Sequence, residues 1–116
     1  MTKLLPGDGW VPQACTLPTV EQPVRRAEFD DLFAREVLAV HREAPHRLRL
    51  KLRPEPGAAS RAAGLAVRET GCCGFFTFEL VITDGTVSLT VATAPGHEEV
   101  LAALGARAQA RMGATS

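Results

Sequence analysis

Neither sign of charge prevails in this chain of 116 residues: thirteen lysines and arginines balance thirteen aspartates and glutamates. Such a balance gives no long-range steering toward nucleic acid or an anionic membrane. No stretch approaches the roughly 18 consecutive apolar residues that a membrane helix needs. The opening MTKLLPGDGW has one lysine and two leucines before Pro6 and Gly7, so no signal-peptide apolar region is expected there. These absences predict a cytoplasmic location. The length suits one small domain with one core.

Other chemistries are missing as well. Around Gly64 there is no second spaced glycine and no lysine-serine or lysine-threonine pair, so a phosphate loop and a nucleotide cofactor are not expected. The order of residues spells no serine-histidine-aspartate set. His41, His46 and His97 show no HxxxH or CxxH spacing, which favours surface or capping roles for each. The basic strip Arg47, Arg49, Lys51 and Arg53 lacks interleaved aromatics and reads as a solvated sheet face, without nucleic acid as a partner.

What remains is ETGCCGFFTF at 69–78: two adjacent cysteines, a glycine on either side, then three phenylalanines in four positions. With Cys15 the cysteines number three, an odd count that fits a disulfide framework poorly. A bond between Cys72 and Cys73 is also disfavoured, because neighbouring Cα atoms stand about 3.8 Å apart, inside the roughly 4.4 Å lower end for ordinary disulfides. Free thiols are expected.

Local patterns place these residues. Residues 1–18 form an N-terminal arm, anchored by Trp10, Val11 and Leu17, ahead of one α+β domain over 19–112 and a frayed tail at 113–116. Pro23 and the stripe Ala27, Phe29, Leu32 and Phe33 predict a helix over 21–34. Val37 to Val40 and HRLRLKLR, where Leu48, Leu50 and Leu52 alternate with cations, predict a hairpin interrupted at Ala44-Pro45. The alanine-rich run predicts a helix over 58–70, ended by a left-handed Gly71 that leaves both cysteines in the following turn. FFTFELVI and TVSLTVAT flank Asp84-Gly85, which predicts a second hairpin with a type I′ turn. A last helix follows Gly96, acidic at its start and basic toward its end, with Val100, Leu101 and Leu104 inward. The order is α-ββ-α-ββ-α: a mostly antiparallel four-stranded sheet with helices packed on one face, in the pattern of a duplicated module.

Thiolate sulfur suits soft ions: copper(I), zinc, mercury(II) and arsenic(III). In a turn, Cys72 and Cys73 can be brought to the same side, Cys15 would supply a third sulfur, and Glu69 would serve as hydrogen-bond partner or proton carrier. Against this stand plainer roles: either cysteine as core packing beside Phe75 and Phe76, and Glu69 as a solvated or capping carboxylate.

The motifs CTLPT at 15–19, AEFDDLF at 27–33 and ETGCCGFFTF resemble a group of small proteins of high-GC actinobacteria, over nearly the whole span 15–107. The vicinal pair with its hairpin also resembles an E-x-x-C-C-x-F module in proteins linked with metal or metalloid regulation and resistance. What this implies is thiol-based handling of a soft metal by Glu69, Cys72 and Cys73, with Cys15 less securely placed. A fainter resemblance to organomercurial lyase implies an acid beside two cysteines. Three functions follow, in this order: a metal-binding thiol protein; an interaction or homodimerisation module whose cysteines only pack; and a thiol enzyme using Glu69 or His41 as acid or base.

Overall fold

The leucines of the first hairpin and the valines of the second sort by face. Leu48, Leu50 and Leu52 are at most 1% exposed, as is Val91, while Arg49 and Lys51 between them face solvent. A computed structural model describes residues 22–72 and 74–113. The arm at 1–18, with Cys15, and Cys73 lie outside the described residues, as does most of the expected frayed tail. In order come α1 (Gln22–Glu36), β1 (Val37–Ala44), β2 (Arg47–Leu52), α2 (Pro56–Cys72), β3 (Phe76–Thr83), β4 (Thr86–Thr93) and α3 (Glu98–Arg111). The strands form one sheet in the order β1-β2-β4-β3, each neighbouring pair antiparallel. All three helices lie on one side, which is the α+β, α-ββ-α-ββ-α architecture expected. Among the described residues no helix is long and apolar enough to cross a membrane.

Both hairpins close through two residues. Asp84 (φ 49°) and Gly85 (φ 70°) take the left-handed conformations that a type I′ turn requires. The second hairpin repeats the first at a constant interval of 39 residues, as from Leu50 to Leu89 or from turn Pro45-His46 to turn Asp84-Gly85. Because β2 and β4 pair antiparallel with Leu50 opposite Leu89, an approximate twofold axis normal to the sheet passes between these two residues. The helices obey it. α2, which follows β2, packs against β3, and α3, which follows β4, packs against β1 with further contacts to β4 and β2. At one such contact the Cα of Gly105 comes so near Leu48 that an added Cβ would stand 3.2 Å from Leu48 Cδ1.

Helix α1 fills the space between the other two through Phe29, Leu32 and Phe33, each at most 3% exposed. Ala27, expected on this stripe, is exposed, since a 200° rotation from Phe29 carries it to the far side. Arg107 on α3 closes a bidentate pair with Asp30 on α1, at 2.8 and 2.7 Å. Those hydrogen bonds are the main reason its guanidinium is held above its ordinary pKa.

Two boundaries correct the sequence reading. α2 starts at Pro56, whose ring suits the first helical turn, rather than at 58. It also continues through Gly71 to Cys72. Gly71 is not among the glycines with positive φ, so it is an ordinary helical residue and Cys72 belongs to the helix rather than to the turn. A helix can absorb one glycine at a cost of about 1 kcal/mol, which burial of its inner face outweighs.

The two sheet edges differ. In β1 the register slips between Val37 and Ala39 and again between Arg42 and Ala44, leaving Leu38 and Glu43 as extra residues. β3 pairs without a slip over all eight positions from Phe76 to Thr83. Val81 (45%) and Ile82 (63%) are its exposed apolar residues.

Candidate thiol site at the end of helix α2

The site is built from the last turn of α2. Positions 69 and 72 are three apart in continuous helix, so they share one helix face. Glu69 is only 2% exposed. That burial removes the solvated reading of Glu69, and a carboxylate is kept in such surroundings only by partners for its oxygens. Of the four residues expected to bind metal, the structure describes Glu69 and the backbone of Cys72; Cys15 and Cys73 lie outside the described residues. Among the described residues no three histidine, cysteine, aspartate or glutamate side chains group as a metal site.

The hairpin geometry brings further groups to this corner. β3 begins where β4 ends, so the segment after β4 runs beside the segment that joins α2 to β3. The amide of Ala94 donates to the Phe75 carbonyl at 3.0 Å, and the amide of Thr93 to the His46 carbonyl at 3.0 Å. His97, at the N-cap of α3, makes no side-chain capping bond. Its imidazole instead stacks on Phe75, with ring centres 4.0 Å apart and planes within 6°. Phe75 in turn touches Phe76, centre to centre at 4.7 Å. Thr93, opposite Phe76, has a buried hydroxyl with no hydrogen-bond partner among the described residues.

The residue that sequence reasoning missed is therefore His97. Of the surface or capping role expected, the N-cap position of α3 is found, but the ring packs instead of turning toward the helix amides. The signal was available: recognising β3 and β4 as a tight hairpin already places Gly96-His97 beside Phe75. The arrangement gives a helix end carrying one cysteine and one buried carboxylate, followed directly by a segment whose Phe75 stacks on His97.

The basic strip behaves as a solvated face. Arg47 reaches Glu43 and Glu79, each at 3.1 Å, and Arg49 reaches Glu43 at 3.2 Å. Hydrogen bonds to Glu43 and then Glu79 raise the Arg47 guanidinium above its ordinary pKa.

No protein-family model, no curated protein and no solved structure matches this chain.

Proposed function

We propose that the protein binds a soft metal or metalloid ion through Cys72 and Cys73, with Cys15 as a third sulfur, for sequestration or sensing in the reducing cytoplasm. The observation that supports this most is the unbroken helix from Glu69 to Cys72, which sets a buried carboxylate one helical turn from a thiol residue. A carboxylate in that position accepts the thiol proton or fixes the sulfur by hydrogen bonding as the thiolate forms. Copper(I), zinc, mercury(II) and arsenic(III) are all ions that thiolate accepts, and they differ in preferred geometry.

The test is native mass spectrometry of the reduced chain, titrated separately with each of the four ions, beside the Cys72→Ser/Cys73→Ser double variant. One-to-one binding lost in the variant supports the site, and weaker binding after Cys15→Ser brings in the arm. No adduct with any ion sinks the reading. The same spectra address a second reading, a dimerisation module whose cysteines pack. The unbulged β3 edge with exposed Val81 and Ile82 favours it, and a dimer indifferent to all cysteine changes would support it.

A further inference from the structure

The face of the sheet turned away from the helices carries a groove that the thiol reading does not use. Its position follows from the strand register. His41 on β1 stands opposite Arg49 on β2, Lys51 on β2 stands opposite Ser88 on β4, and Thr86 is two residues from Ser88 on the same side. With Val87 these six line a cavity of about 270 Å³. Arg49 and Lys51 are next neighbours on one face of β2, where like charges repel. Glu43 and Glu79 pair with the cations of this strip nearer the β1–β2 turn. Arg47 engages both, and Arg49 shares Glu43. Lys51 has no ion-pair partner among the described residues, and no carboxylate lines the groove.

We propose that this groove is a binding site for a small phosphate-type oxyanion. A guanidinium offers paired donors matched to two oxygens of such a group, an ammonium offers a compact charge, and serine and threonine hydroxyls donate to the remainder. The volume is just below the roughly 300–1,000 Å³ usual for small-ligand pockets, so it admits a compact ligand. No phenylalanine, tyrosine or tryptophan lines it, so it lacks the large stacking platforms by which single-stranded nucleic acid is held. It lies toward the β3–β4 turn, on the opposite face and at the opposite end of the sheet from Cys72, and stands independently of metal binding there.

The test is a titration of the ¹⁵N-labelled full chain with inorganic phosphate at constant ionic strength, followed by amide shifts. Saturable shifts confined to residues 41, 49, 51 and 86–88, with affinity falling about tenfold in Lys51→Gln, are expected from loss of one charge-assisted hydrogen bond. Shifts scattered over other exposed arginines such as Arg42, Arg61 and Arg111, or an affinity unchanged in Lys51→Gln, overturn the proposal. A second arm separates the sources of phosphate. Cosedimentation with phosphatidic acid vesicles but not phosphatidylcholine vesicles, lost in Lys51→Gln, identifies a lipid headgroup. Phosphate binding without cosedimentation identifies a soluble ligand.

Discussion

Leu50 and Leu89 face each other across β2 and β4 at the centre of the sheet, and they are also the same position of the two repeated hairpins. Each is at most 2% exposed. The approximate symmetry of the molecule thus meets the buried core at one leucine pair.

Truncation there should be costly. Leu50→Ala and Leu89→Ala are each expected to lose about 2–5 kcal/mol in urea unfolding. The double variant should lose less than the sum, because the second truncation enlarges a cavity already present. Additive losses would mean that the two side chains do not share a packing site.

Gly71 separates two descriptions of the end of α2. As a helical residue with no neighbouring atom within 4 Å of an added Cβ, it should accept alanine with a gain of about 0.5–1 kcal/mol. A left-handed terminator would lose about 1–2 kcal/mol instead. Gly85→Ala, at φ 70°, is the internal control and should destabilise. Melting temperatures of the two variants moving in opposite directions is the expected result.

The Arg107–Asp30 pair joins α3 to α1 with side chains 33% and 16% exposed. Asp30→Asn should cost about 1–2 kcal/mol, the scale of a partly screened charged hydrogen bond. The pH dependence follows from the raised guanidinium. A base with a raised folded pKa contributes stability that is fully present below its unfolded pKa and lost only as pH rises through the folded value. For arginine that window lies far above neutrality, so Arg107 should contribute no slope between pH 6 and 9. Unfolding of Asp30→Asn beside the parent at both ends of that range checks the sign.

The contrast between edges predicts how the protein associates. A regular edge strand with exposed apolar residues pairs readily with another chain, whereas bulges frustrate such pairing. Ile82→Lys should raise the concentration at which light scattering first reports oligomers, with stability changed by no more than about 0.5 kcal/mol. The same substitution at Leu38, at a slip in β1, should leave association unchanged.

Much of the fold was legible because one face of each inner strand is apolar and the other polar. Leu48, Leu50 and Leu52 alternate with cations, and Val87, Leu89 and Val91 alternate with serine and threonine, so period two appears directly. Asp84-Gly85 marked its turn for an equally local reason. The true end of α2 was hidden because glycine serves equally as a terminator and as a tolerated interior residue, and only φ distinguishes them. Ile82 falls by alternation on the same face as Phe76, Phe78 and Leu80, yet it stays 63% exposed near the end of β3. The His97–Phe75 stack joins residues on different elements and leaves no periodic trace. The thiol pair was visible as composition, and the burial of Glu69 beside it depends on packing that no local pattern encodes.

The helices that cross to the opposite half have a consequence for how the chain can be made. The segment from Gln22 to Cys72 is synthesised with its leucine-lined strand beside a vacancy that only β4 fills, and α3, whose Gly105 meets Leu48, comes last of all. Helix α1 can shelter part of that surface through Phe29 and Phe33. Neither half is therefore an autonomous unit. Severed between α2 and β3, the two pieces would be complementary fragments, each supplying the cover that the other lacks.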